Sequence, residues 1–350
     1  MTMPRPSLAI ALLALDLAAA ACGADRTPSA APTATAKVES SPSVSSMPEI
    51  VDVIRDLEYA RPEVAGSGVS LRLDLYRPVV ERVVPLVVFV HGGGWIEGSR
   101  DRCPGQAFAA RGYAVACIDY RLGDAAGCPE GSVFPAQVED VKAAVRWLRA
   151  EAMGYGLDRE RIGVMGDSSG GHLAALLGTS GDVAELAGSE NPGPSDAVQA
   201  VVDWFGPVDI REGPVVFEDD PCVVDLAALD RAYGGEATPY FYWTRAWGLF
   251  LGGSLVDPGV LARATAATPL TYVDAGDPPF LVIHGESDRL VPIRQSELLA
   301  GALESAGVAV TFVRLPGAGH AYGPPGRAGE VLPDFLEPTL DFLDHRLRTP

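Results

Sequence analysis

Apolar and polar positions change period several times along this chain, and each change predicts an element. Residues 69–76 (Val-Ser-Leu-Arg-Leu-Asp-Leu-Tyr) alternate with period two, which predicts a strand near a sheet edge with one wet face, ended by Pro78. Residues 86–90 and 114–118 are continuous apolar runs, the pattern of strands covered on both faces. Between them, residues 106–111 predict a short helix. Residues 137–149 place Val138, Val141, Val145 and Leu148 on one helical face, just after Pro135, where a proline is tolerated. Residues 162–165, 198–202, 280–283 and 308–313 predict further strands, with helices over 169–178, 293–306 and 333–346. Strand and helix alternating in this order predict an α/β fold with a mostly parallel central sheet and helices on both faces. Solenoid-length repeats are absent.

The first residues follow a different pattern. An Ala/Leu-rich run over 8–21 follows Arg5 and ends in Ala19-Ala20-Ala21 before Cys22, which predicts a secretory signal over 1–21. The run is too short to span a bilayer. It resembles a bacterial lipoprotein signal, which implies lipid attachment at Cys22, an exported protein of the cell envelope or exterior, and membrane contact only through that anchor. Asp16 inside the run is a departure from the pattern. Residues 27–46 are rich in Ser, Thr, Ala and Pro with almost no large apolar side chain, so 22–47 predicts a flexible tether and 48–350 a single folded body.

Composition narrows the partners. A chain that is 47% hydrophobic can bury a large core, and a net charge of −19 argues against nucleic acid, anionic lipid or anionic substrates, which bind through clustered Lys and Arg. With Cys22 set aside, Cys103, Cys117, Cys128 and Cys222 remain. Cys117 lies inside an apolar run and reads as a small buried hydrophobe, so one disulfide is expected among Cys103, Cys128 and Cys222. None of these cysteines has zinc-site spacing, and no metal role is expected.

In such sheets the reactive groups lie at the C-terminal ends of strands. After 162–165 comes Gly166-Asp167-Ser168-Ser169-Gly170-Gly171-His172, a G-x-S-x-G turn between a predicted strand and a predicted helix. Such a turn exposes its central serine in a strained conformation, and Gly166 and Gly170 avoid the clash. After 86–90 comes His91-Gly92-Gly93-Gly94-Trp95. Its backbone N–H groups, from Gly93 or Gly94 together with Ser169, are candidates to hold an oxyanion. No Lys-Ser/Thr follows, as a phosphate-binding loop would require. His91 is read as a brace for this loop. Serine needs an imidazole to take its proton and a carboxylate to hold that imidazole. His320, in a glycine-rich loop beyond 308–313, is the candidate base; Asp288, with Glu286 as competitor, is the candidate acid. Trp95, Asp167 and Tyr322 are candidate pocket residues.

Residues 67–347 resemble the carboxylesterases of the α/β-hydrolase fold, in the bacterial group related to hormone-sensitive lipase and to feruloyl-esterase-like polysaccharide esterases. The motifs carrying the resemblance are Gly166-Asp167-Ser168-Ser169-Gly170-Gly171, His91-Gly92-Gly93-Gly94-Trp95, Asp119-Tyr120-Arg121-Leu122 and His284-Gly285-x-x-Asp288-x-x-Val291-Pro292. The resemblance implies Ser168 as nucleophile, His320 as base, Asp288 as acid, no cofactor, and a small-molecule or polysaccharide ester as substrate. Asp119 and Tyr120 are expected to buttress the sheet end. Two segments depart from the pattern: 123–132, bearing Cys128, and 211–268, a lid insertion with Tyr240-Phe241-Tyr242-Trp243 and Trp247. Lid aromatics line a substrate pocket or pack the lid's own underside. The expected activity is hydrolysis of small neutral carboxylic esters. A prolyl-oligopeptidase-class peptidase lacks its propeller repeats here, and an inactive surface-binding lipoprotein would not need a complete triad.

Overall fold

Strands made of continuous Val, Leu and Ile have no face suited to water, and here they occupy the centre of a sheet. The computed structural model describes residues 50–123, 133–181, 183–212, 238–320 and 333–348. Cys22, Cys128, Cys222 and Tyr322, and with them the expected lipid site, tether and much of both insertions, lie outside the described residues. Strands β1 (Val51–Ala60), β2 (Leu71–Pro78), β3 (Val84–Val90), β4 (Ala114–Ile118), β5 (Leu157–Asp167), β6 (Ala200–Trp204), β7 (Phe280–Gly285) and β8 (Val310–Leu315) form one sheet. Their order is β1-β2-β4-β3-β5-β6-β7-β8. β2 runs antiparallel to both its neighbours and every other pair is parallel, the arrangement of the α/β-hydrolase fold.

Period two along β3 sends Leu86, Val88 and Val90 to one apolar core and Val87 and Phe89 to the other. Helices α2 (Ala136–Tyr155) and α3 (Ser169–Thr179) bury Val141 and Leu173 in the first core. The second core takes Phe108 of α1 (Gly105–Ala109) and, from the C-terminal end of the chain, Leu340 of a helix spanning Pro333–Leu343. Helices α4 (Thr238–Leu251) and α5 (Pro258–Ala266) precede β7, and α6 (Arg294–Ala306) follows it.

Three features differ from the sequence expectation. β1 is an additional edge strand, so β2 is flanked on both sides. The wet face expected of 69–76 is partly dry: Asp74 is buried, its carboxylate accepting from Arg55 Nη1 at 2.7 Å, Arg100 Nε at 3.1 Å and the Asp56 amide at 2.9 Å. Among the described residues a disulfide joins Cys103 to Cys117 (Cα–Cα 5.7 Å), so Cys117 is bonded rather than a plain buried hydrophobe and Cys103 is not left to pair with Cys128 or Cys222, which lie outside the described residues. A half-cystine in a buried strand meets the same apolar surroundings as a valine, and the sequence pattern cannot tell them apart.

Candidate active site

The turn from β5 into α3 forces Ser168 to φ 52° and ψ −120°, a strained conformation for a side-chain-bearing residue. Both flanking glycines are required by contact. A Cβ on Gly166 would lie 2.3 Å from the Gly170 carbonyl oxygen, and one on Gly170 only 2.0 Å from the Val90 carbonyl oxygen. The elbow therefore sits hard against the end of β3, with the N-terminus of α3 directly behind Ser168.

The ends of β7 and β8 supply the two partners. His320 Nε2 is 2.9 Å from Ser168 Oγ, and His320 Nδ1 is 2.7 Å from Asp288 Oδ2. Asp288 Oδ1 accepts from the amides of Leu290 at 2.8 Å and Val291 at 2.9 Å. Burial alone would raise this carboxyl, but hydrogen bonds from His284 and His320, the His320 charge and the Val291 amide hold it well below the usual carboxylate range. Glu286, the competing acid, is exposed and no hydrogen bond joins it to His320 among the described residues.

On the opposite wall, Gly93 (φ 124°) and Gly94 (φ 60°) turn the glycine loop. A Cβ on Gly93 would lie 2.1 Å from the Glu97 carbonyl oxygen, while the amides of Ile96 and Glu97 both donate to the Gly93 carbonyl at 3.1 Å. The amides of Gly93, Gly94 and Ser169 donate to no backbone carbonyl among the described residues. Asp167 is the tie between loop and elbow: its Oδ1 accepts from the Gly92 amide at 2.9 Å, and a Cβ on Gly92 would lie 2.6 Å from its Oδ2. Burial raises the Asp167 carboxyl, and the Gly92 N–H opposes that shift. His91 stacks on Tyr120 at 4.4 Å, and Tyr120 Oη donates to the His91 carbonyl at 3.0 Å. Asp119 accepts from the Arg100 amide at 2.9 Å and from its guanidinium, so both residues buttress the loop.

Trp95 does not line a pocket surface. It is fully buried, its Nε1 donates to His172 Nδ1 at 3.1 Å, and its ring stacks on Phe250 at 4.3 Å and meets Trp247 edge-on at 5.1 Å. Phe250 and Trp247 both belong to α4, so Trp95 pegs the glycine loop to that helix. Trp247 itself is buried and donates to the Ile210 carbonyl at 2.8 Å, so it packs inward rather than toward open space.

Two neighbours of the Ser168–His320–Asp288 line have no role in the sequence reading. Phe205, at φ 48°, meets the His320 ring edge-on at 4.9 Å. His284 reaches Asp288 Oδ2 through Nε2 at 3.2 Å. The signals were present, in the aromatic pair Trp204-Phe205 just beyond the apolar strand over 198–202 and in the histidine that opens His284-Gly285-x-x-Asp288. A strand-ending residue reads as packing until its partners are known.

The BD-FAE family model matches residues 73–303, from inside β2 to inside α6. The chain belongs to the BD-FAE family. That stretch holds Ser168 and Asp288, while His320 lies beyond it. Other similarities agree with this BD-FAE assignment. Esterase LipC of Mycobacterium tuberculosis is 29% identical over 293 residues, covering 80% of this chain and 64% of LipC. Esterase LipQ of the same organism is 31% identical over 248 residues, covering 69% of this chain and 51% of LipQ. The chain thus spans about half to two thirds of the length of these relatives. Among solved structures, a truncated carbohydrate esterase from gut microbiota superposes with a TM-score of 0.65 at 26% identity, covering 88% of this chain and 99% of that one. A thermophilic esterase from Thermogutta terrifontis, also solved with propionate and with butyrate bound, superposes with a TM-score of 0.61 at 26% identity, covering 86% of this chain and 93% of its own.

Proposed function

We propose that this protein is a serine hydrolase of small neutral carboxylic esters, working through an acyl-enzyme. The observation that carries the reading is the continuous hydrogen-bonded line from Ser168 Oγ through His320 to Asp288, starting at a serine held in a strained elbow. His320 Nε2 takes the Ser168 hydroxyl proton as Oγ attacks the ester carbonyl carbon. The amides of Gly93, Gly94 and Ser169 are the donors for the oxyanion that forms. When the C–O bond to the leaving group breaks, His320 returns its proton to the departing alkoxide. Water, deprotonated by the same nitrogen, then attacks the acyl-serine; its collapse releases the carboxylic acid and restores the Ser168 hydroxyl. Asp288 stays ionised throughout and balances the imidazolium.

Short acyl groups are favoured by the similarity to an esterase solved with propionate and butyrate, and a carbohydrate-borne ester, acetyl or feruloyl, by the similarity to a carbohydrate esterase. Export is part of the same reading. It is supported by the Ala19-Ala20-Ala21-Cys22 pattern and by a Cys103–Cys117 bridge of the kind that persists in oxidising compartments. The test is a panel of acetyl, butyryl, octanoyl and feruloyl esters beside peptide amides, with Ser168→Ala as control. Hydrolysis of the short esters, lost by about a thousandfold or more in Ser168→Ala, is expected. Wild-type rates in that variant would overturn the reading.

A further inference from the structure

We infer that His284 is a second imidazole serving the triad acid, a positioning residue that sets how strongly Asp288 holds His320. The inference rests on the Ser168–His320–Asp288 reading above and adds to it a residue on the far side of the carboxylate.

His284 is the penultimate residue of β7 and has no exposed surface. All three of its polar contacts are fixed by neighbours. Nε2 lies 2.9 Å from the Val291 carbonyl oxygen and 3.2 Å from Asp288 Oδ2, and Nδ1 lies 2.7 Å from Ser296 Oγ on α6. A carbonyl oxygen can only accept, so the Nε2 proton is specified, and it is shared between Val291 and Asp288. Nδ1 faces the Ser296 hydroxyl, which holds the other edge of the ring. Strand β7, the turn at Val291 and the first turn of α6 therefore all set the orientation of one ring, and that ring points at the triad.

The consequence falls on Asp288 Oδ2. This oxygen receives His320 Nδ1 at 2.7 Å and His284 Nε2 at 3.2 Å, while the amides of Leu290 and Val291 occupy Oδ1. With four donors the carboxylate is saturated. Each donor drains negative charge from the oxygen that must steady the imidazolium of His320, and the His284 contribution goes to the same oxygen that His320 uses. Without it, Asp288 is a stronger base toward His320, and the imidazole holds a proton to higher pH. The two amides on Oδ1 keep the carboxylate in place, so the change is one of charge before it is one of geometry. Other ionisable groups facing this assembly among the described residues are Asp203 on β6, which interacts with His284, and Asp167 at the elbow, which interacts with His320. Phe205 lies edge-on to both rings, 6.4 Å from His284 and 4.9 Å from His320.

The rate of Ser168 labelling by a fluorophosphonate, followed against pH, reads this directly because it requires deprotonated His320 but no particular ester. In His284→Phe, which removes the donor and keeps an aromatic ring, the acid limb of the labelling rate should move to higher pH by about half a unit to one unit. Ser296→Ala leaves His284 and Asp288 in place and removes only the hydroxyl behind the ring. It should move the limb the same way by less, and it carries the test if the phenylalanine variant does not fold. A limb that stays at its wild-type position in both variants, or moves to lower pH, would overturn the role of His284. Failure of the wild-type protein to label at all would instead overturn the hydrolase reading itself.

Discussion

At Ser168 a single backbone torsion links sequence to chemistry. The residue can sit at φ 52° because the carbonyls of Gly170 and Val90 occupy the space that side chains at 166 and 170 would need. Gly170→Ala puts its methyl 2.0 Å from the Val90 oxygen, so either β3 or the elbow must shift. A shift of that kind misplaces the proposed nucleophile, held at hydrogen-bond distance from His320, and kcat/KM should fall by about a hundredfold or more, read by steady-state ester hydrolysis. Asp167 presents a milder case. Its carboxylate holds the Gly92 amide, one residue before the proposed oxyanion donors. Asp167→Ala should lower kcat by about tenfold with little change in KM, and Asp167→Asn, which keeps an acceptor for that amide, should recover most of the loss. Retained activity in the alanine variant would mean that the loop holds its shape without the tie. At this scale the chain was legible where residue type is forced by geometry. The glycines at 93, 166 and 170 mark their own positions, and the serine, histidine and aspartate follow strand ends. It was not legible for Trp95, because an aromatic after a glycine loop looks the same whether it faces substrate or, as here, the α4 helix.

At the scale of elements, the core strands announced themselves and the edge did not. β3 and β4 are continuous apolar runs, and the structure extends or matches them within a few residues. β1 carries Asp52, Arg55, Asp56 and Glu58, and its pairing register to β2 slips between Ile54 and Leu57, next to Asp56 at φ 59°. A bulge there breaks period two, which removes the only local signal a charged edge strand has. The disulfide was hidden for a related reason, since Cys117 satisfies the burial pattern of β4 whether or not it is bonded. Its partner Cys103 lies just before α1, on the chain that leaves the glycine loop. The bond closes a loop of 14 residues, for which the chain-entropy argument gives about 3 kcal/mol. Replacing both cysteines by alanine should lower the denaturant midpoint by an amount corresponding to a few kcal/mol at unchanged m-value. Because Arg100, three residues before Cys103, is also held by Asp74 and Asp119, the active-site loop should keep its shape and the folded variant should retain most of its esterase activity. Loss of activity without loss of stability would show that the bond positions the loop as well as stabilising the fold.

For the molecule as a whole, the large negative charge matters less than where single carboxyls are placed. Asp203 on β6 is fully buried behind α3: a Cβ on Gly171 would lie 2.3 Å from its Oδ1. Oδ1 accepts from the Gly206 amide at 2.8 Å, and Oδ2 has no partner among the described residues. Burial, opposed by that amide and by His284, pushes this carboxyl up to about 6. The folded protein thus binds the Asp203 proton more tightly than the unfolded chain does. The stabilisation from that proton is complete below the unfolded value near 3.8 and is lost as pH rises through about 6. Asp288 acts in the opposite sense: its carboxyl is held low, so it favours the fold above the ordinary carboxylate range and loses that contribution on acidification. Asp203→Asn separates the two. The amide keeps an acceptor for Gly206 and cannot ionise, so wild type and variant should unfold at similar temperatures near pH 4. As the pH is raised to 8 the variant should become the more stable by up to about 3 kcal/mol, the linkage value of a shift of roughly two units. Thermal unfolding followed across that range measures the difference, and a wild-type-minus-variant gap that does not change with pH would mean that Asp203 keeps its charge in the folded protein.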